Sequence, residues 1–143
     1  MGPAASELQF RRRHRLSHAS EFQAVYGARV KKARGPLVVF GLPNGREECR
    51  LGLAVGKRAG PAVTRNRIKR LVREAFRLRQ HELPRSKDGR YDLVVSVREP
   101  AGLTLTEVQS LLEELAGAVH REWEKRQRRA GADQSVAASE PRP

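Results

Sequence analysis

One cysteine, Cys49, occurs in the 143 residues, which excludes an internal disulfide framework and any cysteine-rich zinc site. No apolar run reaches the length of a membrane span, and the N-terminus has no apolar secretory core, because FRRRHRLSH arrives within the first twenty residues. The expectation is a soluble, cytoplasmic protein. A basic start also suits an organelle transit peptide, a reading disfavoured by residues 16 to 26, which look like part of the domain. Acids are scarce where bases are dense: residues 11 to 79 hold nineteen Lys and Arg against four Asp and Glu, a net of +15, while the whole chain is +13. A surplus confined to one region points to a surface for a polyanion, whereas an even surplus would mainly serve solubility.

Enzyme chemistry is also thin. The four histidines, His14, His18, His81 and His120, are scattered, and they read as solvated or phosphate-contacting residues rather than metal ligands. A two-metal nuclease needs convergent carboxylates, yet the basic region offers only Glu21, Glu47, Glu48 and Glu74. No phosphate-binding loop or dinucleotide fingerprint is present. The residues alone describe a binding protein with no catalytic set and no metal site.

The chain punctuates into a small domain. Residues 1–15 read as a flexible basic segment, 16–127 as the domain, and 128–143, small, polar and Pro-containing, as a disordered tail. In SHASEFQAVYG, Ser17 suits a helix cap, and Phe22, Val25 and Tyr26 share a face. GPLVVFGL reads as a strand, and PNG at 43–45 as the turn of a hairpin. RLGLAVG reads as the return strand, with Leu51, Leu53 and Val55 on one side and Gly52, Ala54 and Gly56 on the other, where something can approach closely. A basic helix spans about 62–80 with Pro61 in its first turn. YDLVVSV is a further strand, and a helix capped by Thr104 or Thr106 runs to about Arg126. The fold class is α+β, a three- to four-stranded sheet packed with helices.

The segment VTRNRIKRLVREAF is the densest in charge. At about 100° per residue, Arg65, Lys69, Arg73, Asn66, Arg77 and Arg70 share one arc, and Ile68, Leu71, Val72, Ala75 and Leu78 the opposite one, with Arg67 on the far side near Glu74. A solvated helix face usually mixes signs, since i, i+4 pairs of opposite charge stabilise and like pairs cost similar amounts. Arg65, Lys69, Arg73 and Arg77 make a like-charged ladder, so the choice lies between an ordinary solvated face and a nucleic-acid ridge whose Arg forks match phosphate. Aromatics are only 5% of the chain, yet Phe22, Tyr26 and Phe40 fall close together. They are either core residues or platforms on which unpaired bases stack.

RLSHASEFQAVYG, LGLAVGKRAGPAVTRNRIKRLVREAFR and YDLVVSVREPAG, in that order and spacing, resemble the protein component of bacterial ribonuclease P over about residues 10–125. Arg65-Asn66-Arg67, followed by Ile68, Lys69, Arg70, Leu71 and Arg73 and preceded by Lys57-Arg58, carries the likeness. Gly56 and Pro61 stand where that family often has polar residues. The resemblance implies a small α/β sandwich with a left-handed β-α-β crossover. It implies a subunit of an endoribonuclease that removes the 5′ leader of precursor tRNA, with metal-dependent hydrolysis in a catalytic RNA. It places Arg65, Asn66, Arg67, Lys69, Arg70 and Arg73, with Lys57 and Arg58, on that RNA, and the leader in a cleft of Phe22, Tyr26, Phe40, Arg15 and Arg11. No cofactor is expected on the protein itself, Mg²⁺ serves the RNA-containing holoenzyme, and neither membrane nor small-molecule substrate is expected. A ribosomal or RNA-chaperone protein and a protein-only nuclease are the alternatives.

Overall fold

The computed structural model describes residues 10–98 and 102–139, with side chains as far as residue 131. Its organising element is a strand buried on both faces, Tyr91–Val97, in which only Ser96 is not fully buried. A strand apolar on both faces is satisfied only between two others with helices above and below. Numbered in chain order, the strands are β1 (Lys31–Arg34), β2 (Leu37–Pro43), β3 (Arg50–Ala54) and β4 (Tyr91–Val97), and the sheet order is β1-β2-β4-β3. β4 pairs antiparallel with β2 and parallel with β3.

This corrects the expected hairpin between β2 and β3. The Asn44–Gly45 turn does form, with Gly45 at φ +66° and Asn44 Oδ1 accepting the Arg46 N–H at 2.8 Å. It opens into a loop, however, and β4 lies between the two strands. The hairpin partner of β2 is β1, whose sequence KKAR hides a strand behind charge. On an edge such charges block further pairing; here Lys32 reaches Glu122 and Arg34 pairs with Glu114.

Alternation along the strands divides the sheet into two faces. On one, Leu37, Val39, Leu51, Leu93 and Val95 join Ile68, Val72 and Phe76 of helix α2 (Ala62–Arg79) and Leu112 and Val119 of helix α3 (Leu105–Ser139) in the main core. On the other, Val94 packs with Leu16 and with Val25 of helix α1 (Ala19–Gly27). α2 is the crossover joining parallel β3 to β4. α3 comes so close to β2 that a Cβ at Gly41 would lie 2.5 Å from Val119 Cγ1, and Trp123 Nε1 donates to the Gly41 carbonyl at 2.9 Å. Thr104 caps α3, its hydroxyl accepting the Glu107 N–H at 3.2 Å.

Two segments depart from the sequence reading. α3 continues to Ser139, beyond the expected end near Arg126; the intervening residues are mostly good helix formers, and no proline occurs before Pro141. Residues 140–143, the remainder of the expected tail, and residues 99–101 lie outside the described residues, as do residues 1–9. The segment from Phe10 to Arg15, expected to be flexible, is anchored through Phe10, His14 and the backbone of Arg15, while its arginine side chains are exposed. Phe10 meets Phe76 edge-on at 5.5 Å, and Arg15 bridges to Leu51 on β3. His14 is buried rather than solvated: its Nδ1 accepts the Arg11 N–H at 2.9 Å, which leaves Nε2–H to donate to Glu48.

A polar network fixes α1 to the sheet. Arg50 donates to both Asp92 oxygens, at 2.8 and 2.6 Å, and to Glu21 Oε2 at 2.6 Å. The other Glu21 oxygen accepts the N–H groups of Ser17 and His18 at 3.1 and 3.0 Å, so Glu21 caps α1 in place of the Ser17 hydroxyl. Those backbone N–H groups, with the Arg50 charge added, hold the Glu21 carboxyl below its ordinary 4.5. A carboxyl lowered in the folded state contributes stability that is fully present at neutral pH and is lost as pH falls through the lowered value. Glu21→Gln should therefore lower the melting temperature at pH 7 and shrink its fall between about pH 5 and pH 3; an unchanged acid limb would show that this network does not couple folding to protonation.

Candidate nucleic-acid interface

α2 sits on the sheet in a roll that its sequence only partly reveals. Ile68, Val72, Ala75 and Phe76 are its buried residues. Phe76 projects about 20° from Arg65 at 100° per residue, inside the basic arc, yet it is fully buried. The solvent face is displaced accordingly. Asn66, Arg67 and Arg70 are exposed, whereas Arg65, Lys69 and Arg73 are half-buried on the flank. Arg67 thus belongs to the outer surface, beside Asn66 and Arg70. Glu74 instead holds Arg77, through bonds of 3.0 and 2.5 Å, which removes Arg77 from the like-charged ladder.

The carboxylates are engaged elsewhere. Glu48 takes His14 and Arg13, Glu82 takes Arg79, Glu114 takes Arg34, and Glu122 takes Lys32 and Arg126. Burial raises the Glu48 carboxyl, but His14 and Arg13 outweigh it and leave it lowered. Among the described residues, no carboxylate pairs with Arg15, Lys57, Arg58, Arg65, Arg67, Lys69, Arg70 or Arg73. Lys57 and Arg58 are exposed on a short turn before α2 that ends at Gly60, whose φ of +126° suits glycine. The flank of α2 faces a groove of about 150 Å³ at the β3 edge, where Lys69, Arg73 and Arg15 surround Phe10, Phe22 and Leu53. Burial, then the charges of Arg15 and Arg70, push the Arg73 guanidinium down. Nε of Arg65 is buried and makes no hydrogen bond within the described residues. Phosphate in this groove would relieve the crowding of cations.

The helix α1 lies over the row Phe40–Val94–Gly52 formed by strand pairing. Phe22 rests on Gly52, where a Cβ would lie 2.7 Å from its ring. The close approach that Gly52 permits is therefore made by Phe22 itself. Tyr26 meets Phe40 edge-on at 4.9 Å, and Lys31 Nζ is 5.9 Å from the centre of the Phe40 ring. The next row, Ala33–Val38–Ser96–Ala54, has no fully buried member, leaving a strip of small side chains accessible. The structure brings Phe22 and Arg15 together on the β3 side, and Tyr26 and Phe40 on the β1 side. Arg11 is exposed and joins neither group through a recorded contact. Phe10 went unnoticed in the sequence; an aromatic directly before an arginine run was the available signal.

The family model for ribonuclease P matches residues 10–123. The chain belongs to the ribonuclease P protein family. Ribonuclease P protein components from Chromobacterium violaceum and Bacillus pumilus are 43% and 39% identical to it, over 78% and 81% of this chain and 93% and 98% of theirs. The ribonuclease P protein of Staphylococcus aureus superposes with a TM-score of 0.60 at 32% identity, covering 73% of this chain and 94% of that one. That of Thermotoga maritima gives 0.62 at 29%, covering 71% and 94%. The four-stranded sheet with its helices is thus the ribonuclease P protein fold, and α3 extends beyond the matched region.

The aromatics differ in burial, and their loss should differ in cost. Tyr26 is 38% exposed, and Phe22 is half-buried against Gly52. Tyr26→Ala should cost at most about 1.5 kcal/mol, the value of its ring pair. Phe22→Ala should cost about 2 kcal/mol, short of the roughly 3–5 kcal/mol of a full core phenylalanine. Urea denaturation measures both, and losses above about 3 kcal/mol for each would assign both rings to the core.

Proposed function

We propose that the chain is the protein subunit of a ribonuclease P ribonucleoprotein, working in the cytoplasm on the removal of the 5′ leader from precursor tRNA. Its α2 surface, with Arg65, Asn66, Arg67, Lys69, Arg70 and Arg73 and the preceding Lys57 and Arg58, binds the catalytic RNA subunit. The sheet face with Phe22, Tyr26 and Phe40, flanked by Arg15 and Arg11, takes the single-stranded leader. One observation carries this reading: Arg65, Arg67, Lys69, Arg70 and Arg73 of α2 have no carboxylate partner among the described residues, although Arg77 and Arg79 near the end of the same helix and Arg50 on β3 are paired. Phosphodiester oxygens supply the missing charge, and guanidinium forks bind them with two donors each. The half-exposed Tyr26–Phe40 pair supplies π faces for unpaired bases of any sequence.

Hydrolysis, and the Mg²⁺ it requires, belong in this reading to the RNA. Glu21, Glu48 and Glu74, three of the four acids in residues 11–79, are each tied to Arg or His. Reconstitution tests the proposal. The protein freed of RNA should leave precursor tRNA intact, and adding it to a ribonuclease P RNA at low Mg²⁺ should restore cleavage at the mature 5′ end. Cleavage by protein alone would refute it, as would equal affinity for unrelated RNAs with no gain in processing.

A further inference from the structure

A second basic surface lies at the other end of the molecule. α2 runs from the end of β3 to the loop preceding β4, so its length, about 27 Å for eighteen residues, separates its N-terminal cations from that loop. There, Arg85 and Lys87 of the loop and Arg128 of α3 surround an open depression of about 310 Å³, together with His120, Glu124 and Gln127. His120 accepts or donates at 2.8 Å with the Tyr91 hydroxyl and contacts Glu124 at 3.1 Å, while Gln127 bonds Asp88 at 3.0 Å. The acids present are thus engaged with neutral groups or His120. Arg85, Lys87 and Arg128 are exposed and have no carboxylate partner among the described residues. The same helix carries Arg121, Lys125 and Arg129, also exposed. At about 100° per residue these fall with Arg128 in an arc of roughly 100°, a stripe continuous with the depression.

This surface was hidden in the regional charge balance, because the acids of α3, Glu124 beside the depression among them, cancel its bases in the count. Half of its cations lie beyond the shared family region, whose match ends at residue 123: Lys125, Arg128 and Arg129 fall outside it, and Arg85, Lys87 and Arg121 inside. We infer that Arg85, Lys87 and Arg128, extended by the α3 stripe, form a second binding site for the phosphodiester backbone of the catalytic RNA, separate from the α2 surface. An occupant held at both ends must span the length of α2, which suits a large folded RNA. The inference rests on the proposed RNA-binding role of α2.

The test uses the full chain and a ribonuclease P RNA, measuring dissociation constants from about 50 to 300 mM salt. For the triple variant Arg85→Ala, Lys87→Ala, Arg128→Ala, affinity should fall and the slope of log K against log salt should shrink by two to three, about one per charge. Circular dichroism should stay native, since these side chains are exposed and unpaired. The charge-keeping triple Arg85→Lys, Lys87→Arg, Arg128→Lys should restore the wild-type slope. If wild-type protein binds the RNA and the alanine triple keeps the wild-type slope, the second site does not exist. A loss confined to precursor tRNA would overturn the assignment to the catalytic RNA. If the wild-type chain itself shows no salt-dependent binding, the α2 reading fails instead.

Discussion

Everything in this structure depends on holding a helix that repels itself. Arg65, Lys69 and Arg73 stand at i, i+4 spacing on α2, and Arg67 and Arg70 add charge beside them, with no acid among the described residues to neutralise any of the five. Each like-charged pair costs about 0.2–0.5 kcal/mol. Burying Ile68, Val72 and Phe76 contributes about 1.5–3 kcal/mol apiece, so the apolar underside wins comfortably. The helix is held by its sheet-facing side, which leaves its outer side available for a partner.

That solution sets requirements on the rest of the chain. The underside needs a continuous apolar floor, which the doubly buried β4 and its neighbours provide. It needs a second helix beside it, and α3 is drawn close by the lack of a side chain at Gly41 and by the Trp123 bond to that residue's carbonyl. The acids that could have stabilised α2 instead pin other elements: Glu21 and Asp92 hold Arg50 between α1 and the sheet, and Glu48 holds His14 and the N-terminal segment. Placement of carboxylates is the common thread between stability and binding. Where they pair, elements are fastened; where they are absent, phosphate can bind.

The sequence made α2, β4 and the apolar stripe of α3 legible, because strong periodicity and double-sided burial leave few alternatives. Strand order was not legible. The Pro43-Asn44-Gly45 turn is a genuine local signal, but pairing is decided by which strand needs two neighbours, a global property that YDLVVSV carries and a turn does not. β1 was masked by Lys31, Lys32 and Arg34; the partners of Lys32 and Arg34, Glu122 and Glu114, lie some eighty to ninety residues away. The roll of α2 was misjudged through one residue: Phe76, left out of the apolar arc, is fully buried, which displaces the exposed face toward Asn66, Arg67 and Arg70. Of the candidate site, the cations were readable from composition and spacing. The split of the aromatics into a Phe22 side and a Tyr26–Phe40 side needed the sheet register.

The central claim is that α2 forgoes helix stability in order to bind phosphate, and one exposed position tests both halves together. Asn66→Glu places a carboxylate four residues before Arg70 and three before Lys69, which should add about 0.5 kcal/mol to stability and raise the melting temperature by roughly 2 °C. The same variant should bind ribonuclease P RNA at least tenfold more weakly than Asn66→Gln, which changes the side chain without its charge. A higher melting temperature with weaker RNA binding is the predicted result. Unchanged RNA affinity relative to Asn66→Gln, or a lower melting temperature, would contradict the account.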